Sequence, residues 1–211
     1  MNDLTEIIFI IDDEESVRSS IALFLEADDF TVESYSSSEE YLAREHWPGA
    51  GCLILDVNLA GKSGLDLQEE MVVMNSHLPI IFITGQGNIP MSVTTLKKGA
   101  INFLEKPFKY EELLQSISEA LSLSRKLKSE KQETLKAIQL IETLSARELE
   151  ILKNMMSGML NKQIADKLNI AIQTVKHHRL SISEKLHVKS VPEISRIAEN
   201  AGIIPYKINP D

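Results

Sequence analysis

Five polar residues in this 211-residue chain each stand at the end of a short apolar run. Asp12 and Asp13 follow Ile7 to Ile11, Asp56 closes Cys52-Leu-Ile-Leu, Thr84 follows Ile80 to Ile83, and Lys106 follows Ile101 to Glu105. Any one of them alone is as well read as a helix cap; all five together are better read as one site. Crowded carboxylates repel one another, so a hard divalent cation is the natural guest, Mg²⁺ or Mn²⁺ in its place. Such an ion takes one or two carboxylates and completes its shell with water and phosphate oxygens. Asp13 and Asp56 are the expected direct ligands, the backbone carbonyl of Asn58 a third, and Asp12 a contact through water. Lys106 and Thr84 then remain to act on a phosphoryl group, one as a point charge and one as a donor. Asp56 becomes a candidate nucleophile, since carboxylates accept phosphoryl groups as aspartyl phosphates.

The elements that must position these residues alternate regularly. Apolar runs at Ile7 to Ile11, Thr31 to Tyr35, Cys52 to Asp56, Ile80 to Ile83 and Ile101 to Glu105 read as strands. Between and after them, helices are expected at Ser16 to Ala27, from Ser37-Ser38-Glu39-Glu40, at Ser63 to Asn75, at Ile89 to Lys98 and at Tyr110 to Leu123. Strands with no polar alternation are buried on both faces, which means a doubly wound five-stranded parallel sheet with helices on either side. The carboxyl ends of its strands form the crevice where open α/β sheets bind ligands.

Beyond this first domain, residues 1–123, a Lys- and Glu-rich stretch at 124–143 reads as a linker, either helical with some intersubunit contact or simply solvated. A four-helix, all-α domain at 144–211 opens on Ser145-Ala-Arg-Glu148, a capping box. The helix it starts runs to about Met156, and helices at Asn161 to Leu168, Ile172 to Leu186 and Ser190 to Ala201 follow. The second and third of the four, joined by a short turn, form a helix-turn-helix at about 161–180. On the longer one, Gln173, Lys176, His177, Leu180 and Glu184 share a face, with Arg179 and Lys185 beside it, while Val175, Ile182 and Leu186 face inward. Lys176 and His177 are the expected base readers, and Thr174, Arg179 and Lys162 the expected phosphate contacts.

Charge is distributed to match. The chain carries −9 overall, but residues 1–123 hold 7 Lys+Arg against 21 Asp+Glu, whereas 124–143 and 144–211 are net +2 and +3. Acidity that would oppose DNA belongs to the first domain alone. The longest apolar runs are far below the roughly 20 residues of a membrane span, and Met1-Asn-Asp-Leu-Thr-Glu lacks a basic leader, so a cytoplasmic protein without membrane attachment is expected. The single cysteine, Cys52, reads as a small buried hydrophobe.

These residues resemble a known family. Asp12-Asp13, Asp56, Thr84-Gly85 and Lys106-Pro107-Phe108 match the receiver domain of two-component response regulators. The stretches Thr84-Gly-Gln-Gly-Asn-Ile-Pro-Met-Ser-Val and Gly99-Ala-Ile-Asn-Phe-Leu-Glu-Lys-Pro-Phe108 are close to the FixJ type of the NarL/FixJ family. Leu144-Ser-Ala-Arg-Glu148, Asn161-Lys-Gln-Ile-Ala165 and Thr174-Val-Lys-His-His178 are similar to the LuxR-type DNA-binding domain. The resemblance implies a flavodoxin-like receiver and a phosphorylation-dependent transcriptional regulator rather than an enzyme. It further implies a sensor histidine kinase as phosphate donor to Asp56, Thr84 and Lys106 as sensors of the phosphate, and Phe103 as a switch aromatic, a position that plain core packing explains equally well. Promoter DNA is an implied partner, with RNA polymerase left open as another. Asn58 and Gln86 match positions that tune phosphate hydrolysis, and neither is acidic. A homodimer on phosphorylation is expected through a face carrying Val93, Leu96, Lys97 and Phe103. Two rivals stay open. One is a receiver with a protein-interaction output; the other is a Mg-dependent phosphohydrolase, which would need an Asp where Asn58 stands.

Overall fold

The computed structural model describes residues 5–74, 76, 78–85 and 100–206. The helix expected at Ile89 to Lys98, together with Gln86, Val93, Leu96 and Lys97, lies outside these. The chain divides into two compact units, Met1–Ser129 and Glu130–Asp211.

In the first unit, β1 (Ile7–Ile11), β2 (Thr31–Tyr35), β3 (Gly51–Asp56), β4 (Ile80–Thr84) and β5 (Asn102–Glu105) form one parallel sheet in the order β2-β1-β3-β4-β5. Period-two alternation sorts the strand residues into two cores. Phe9, Ile11, Leu53, Leu55 and Phe82 join Tyr41 of α2 (Ser38–Ala43) and Leu67 and Met71 of α3 (Gly64–Val73) on one face. Ile8, Ile10, Ile54, Ile81 and Ile83 meet Ile21 and Leu25 of α1 (Glu15–Ala27) and Leu113, Ile117 and Leu121 of α4 (Tyr110–Glu142) on the other. Cys52 lies in this second layer, and burial pushes its thiol up to about 12, as a packing role requires. The fold expected from the strand pattern is therefore the one observed.

Helix α4 differs from the expectation of a helix ending at Leu123. It continues through 124–142, and Ser124 shows why the chain does not turn away. Ser124 is buried, and its Oγ accepts from the Gly51 amide at 3.0 Å, at the opening of β3. One position on, Arg125 pairs with Glu6 at 3.0 Å.

The second unit holds the end of α4, then α5 (Ala146–Met156), α6 (Asn161–Leu168), α7 (Ile172–Lys185) and α8 (Val191–Asn200). Ile151, Leu152, Ile164, Val175, Ile182, Ile194 and Ala198 make its core, with Ile141 of α4. Ser63 with Asp66, Ser145 with Glu148 and Ser190 with Glu193 form capping boxes, the one at Ser145 as expected, and Ser37 caps α2 by accepting from the Glu40 amide. Asn169 closes α6 in the left-handed region at φ 51°, which an asparagine tolerates. Among the described residues, no helix is long and apolar enough to cross a membrane.

Candidate functional site

The sheet order reverses between β1 and β3, and the crevice beyond their carboxyl ends is the ligand position of such a fold. Asp12 follows β1 and Asp56 ends β3, so the topology alone brings them side by side. Their local fixation is the same: Asp12 Oδ1 accepts from the Glu14 amide and Asp56 Oδ1 from the Asn58 amide, both at 2.9 Å. Each is a turn closed by the side chain two residues back. The second oxygens converge on one ammonium, with Lys106 Nζ 2.7 Å from Oδ2 of Asp12 and 2.7 Å from Oδ2 of Asp56. The α3 helix comes so close behind β3 that a Cβ at Gly64 would run into the Asp56 carbonyl oxygen.

Asp12 is fully buried, and desolvation holds its carboxyl above the usual range despite the hydrogen bond from Lys106. Burial works against the charge on Lys106, but hydrogen bonds to Asp12 and Asp56 outweigh it and raise the pKa of the ammonium. Asp13 is exposed at the rim, where its Oδ2 accepts from the Ala60 amide at 3.2 Å. Oxygens of Asp12, Asp13 and Asp56 lie within 4.8 Å of one another. An all-oxygen donor set with more negative than positive charge fits a hard divalent cation such as Mg²⁺.

Sequence reasoning assigned Lys106 and Thr84 to a phosphoryl group, and in the structure each has a partner within the site. Lys106 bridges the two buried carboxylates. Thr84 Oγ1 accepts from Asn58 Nδ2 at 3.2 Å, so the side chain of Asn58 reaches the site. Asp12, expected at one water's remove from an ion, is also hydrogen-bonded directly to Lys106. Phe103 is partly buried and packs against the core layer of Phe9 and Phe82, beside Phe82 in register.

In the second unit, α7 turns Val175, Ile182 and Leu186 into the core and leaves Gln173, Thr174, Lys176, His177, Leu180 and Glu184 exposed. Lys162, on α6, is exposed too. Two basic residues expected along the outer face have inward partners. Arg179 donates from a terminal guanidinium nitrogen to Asn161 Oδ1 at 2.8 Å, across to the start of α6. Lys185 Nζ lies 2.7 Å from Glu148 Oε2, which also accepts from the Ser145 amide, while Ser181 Oγ donates to Oε1 at 2.6 Å. Glu148 is thus both the capping acid of α5 and the buried tie to α7. Burial alone would raise its pKa, but Lys185, Ser181 and Ser145 hold it down at about 2. The capping box was legible as Ser145-x-x-Glu148; the tie to Ser181 and Lys185, more than 30 residues away, was not.

With this geometry in view, comparison with known proteins gives two family matches. Residues 8–118 match the response regulator receiver domain, and residues 142–198 match the luxR family of bacterial regulatory proteins. Nodulation protein W of Bradyrhizobium diazoefficiens is 39% identical over 197 residues, 93% of this chain and 87% of its own length. The transcriptional regulatory protein FixJ of Rhizobium meliloti is 34% identical, over 97% of this chain and all of the relative. Among solved structures, that of the response regulator StyR aligns with a TM-score of 0.82 at 37% identity, covering 92% of this chain and 98% of that one.

Proposed function

The chain belongs to the NarL/FixJ family of two-component response regulators, and on that footing we propose that Asp56 is its phosphoacceptor and that phosphate on Asp56 controls DNA binding through α7. A receiver joined to a LuxR-type domain makes it a transcriptional regulator, whose partners are a histidine kinase and DNA. The observation that carries the reading is the position of Asp56 itself: Asp12 and Asp13 stand on one side of it, Lys106 is in direct contact at 2.7 Å, and Thr84 is reached through Asn58.

In the proposed transfer an Asp56 carboxylate oxygen attacks the phosphorus of a phosphohistidine. The new P–O bond forms as the P–N bond breaks, and its electron pair returns to the imidazole. The Asn58 amide holds Oδ1 of Asp56, which fixes the plane of the attacking carboxylate. As charge passes to the phosphoryl group, Lys106 exchanges its contact with Asp56 for a phosphoryl oxygen, and Thr84 gives up the Asn58 amide group for another. Asp13, Asp56 and the Asn58 carbonyl would hold Mg²⁺ or Mn²⁺, with Asp12 acting through water; the ion supplies positive charge to the phosphoryl oxygens. Phe103 follows Thr84 as the switch aromatic.

The output belongs to residues 144–211, behind a receiver at 1–123 and a linker at 124–143. Lys176 and His177 read base edges, while Thr174, Arg179 and Lys162 hold phosphates. Pairing two phosphorylated chains on a two-fold operator makes the second half-site contact effectively intramolecular, which raises affinity without any new contact. RNA polymerase is a further partner in this reading. The test is treatment with acetyl phosphate and Mg²⁺, followed by intact-mass measurement and sedimentation. Wild type should gain one phosphoryl group and sediment as a dimer, and Asp56→Asn should do neither. Labelling of Asp56→Asn at the wild-type rate would overturn the assignment.

A further inference from the structure

The outward face of α7 is defined by elimination. Val175, Ile182 and Leu186 are in the core, Ser181 and Lys185 are turned to Glu148, and Arg179 is tied sideways to Asn161. Of the residues that remain, Gln173, Lys176, His177, Leu180 and Glu184 lie in one stripe along the helix. At about 3.6 residues per turn, Leu180 lies at the middle of that stripe, with Lys176 and His177 one turn before it and Glu184 one turn after. Leu180 is 60% exposed and stands outside the core cluster of its unit. An isobutyl group in the centre of a polar, partly cationic face adds nothing to folding, yet it occupies the place where a groove-reading helix comes closest to the bases.

The major groove offers one apolar group, the C5-methyl of thymine, and aliphatic side chains recognise it by contact. We propose that Leu180 is a specificity-determining residue that reads a thymine methyl in each half-site, next to the base read by Lys176. The surroundings favour this occupant. Lys176 and, on α6, Lys162 give the face the charge that draws a polyanion, while Leu180 has no hydrogen-bonding group with which to read a base edge in any other way. Ile172 is exposed as well, but it lies roughly 80° round the helix from Leu180, at the border of the stripe and not at its middle.

The inference rests on α7 as the recognition helix, and the test keeps the two apart. Sites enriched from a random duplex library by the acetyl-phosphate-treated full chain serve as probes, and each thymine is replaced singly by uracil. That change keeps the base pair and its hydrogen-bonding pattern and removes only the methyl. At one position in each half-site the wild type should bind about fourfold more weakly, the factor that corresponds to one buried methylene. Leu180→Ala should be indifferent to the same replacement, and Leu180→Met, which keeps an apolar tip, should restore the sensitivity. Because Leu180 is exposed, neither change threatens the fold. An enriched site at which wild type and Leu180→Ala respond alike to every uracil overturns the role of Leu180 alone. Failure to enrich any sequence overturns the reading of α7 with it.

Discussion

Among the described residues, two lysines reach a buried carboxylate at 2.7 Å, and the surroundings of the two differ in charge balance. Lys185 meets one carboxylate, Glu148, whose other hydrogen bonds come from Ser181 and the Ser145 amide, so the charges cancel and the acid is held at about 2. Lys106 meets two, Asp12 and Asp56, with Asp13 close by, and one ammonium cannot cancel three carboxylates. Asp12 is raised rather than lowered, chiefly by its burial, with the charge of Asp56 adding a smaller push in the same direction. A buried ion pair by itself therefore says little about chemistry. The uncompensated charge is what marks a site that has something left to bind.

The largest expected effect tests that surplus. Mg²⁺ at roughly a hundredfold excess over its dissociation constant should stabilise the first unit by about 3 kcal/mol. The second unit should not respond. Urea titrations followed by Trp47 fluorescence for the first unit, and by the Val175 and Ile182 amides in NMR spectra for the second, separate the two. Asp13→Ala should remove most of the gain, and an equal response of both units would break the comparison.

Next in size is Lys185→Met, which leaves Glu148 without its ammonium. A loss of about 2 kcal/mol in the second unit is expected, below the cost for a fully enclosed pair because Lys185 reaches solvent. Lys106→Met should be milder once Mg²⁺ is present, since the cation replaces the missing charge. Equal losses in the two variants under that condition would remove the distinction.

The pH dependence is smaller and has a definite sign. The Glu148 carboxyl is lowered in the folded state, so its contribution is fully present above the ordinary glutamate range and is lost as pH falls from about 4.5 toward 2. Between pH 5 and pH 3 the second unit of the wild type should lose more stability than that of Glu148→Gln, again read at Val175 and Ile182. A parallel decline would show that Glu148 is not held down.

The smallest effect concerns two basic residues of α7, Lys176 facing outward and Arg179 tied to Asn161. Arg179→Ala should weaken cognate and random duplexes alike and make the salt slope of binding shallower by about one, whereas Lys176→Ala should weaken the cognate site selectively. Identical specificity profiles would exchange or dissolve these roles.

The acid crevice was readable because it depends on strand ends. A residue at the carboxyl end of a parallel strand has its place fixed by the sheet, and Asp12, Asp56, Thr84 and Lys106 each declare that place by closing an apolar run. The inner side of α7 was readable for a similar reason, since Val175, Ile182 and Leu186 keep helical spacing. Cross-element polar ties were not. Asn161 to Arg179 and Glu148 to Ser181 and Lys185 join residues whose spacing carries no period, and each could equally have been a solvated charge. The side chain of Asn58 was not legible either, because its reach to Thr84 depends on how β3 and β4 lie side by side.

Ser124 has a consequence for recombination between regulators. The amide it accepts belongs to Gly51, 73 residues earlier, so the receiver's sheet is closed at that edge by a residue that lies past both the family match at 118 and the helix end expected at Leu123. A crossover at residue 123 would splice in whatever another protein carries at 124 and leave a buried N–H without an acceptor, at a cost of about 1 to 3 kcal/mol. A receiver exchanged as a self-sufficient cassette must therefore carry its own serine across the junction, and the seam belongs beyond Arg125.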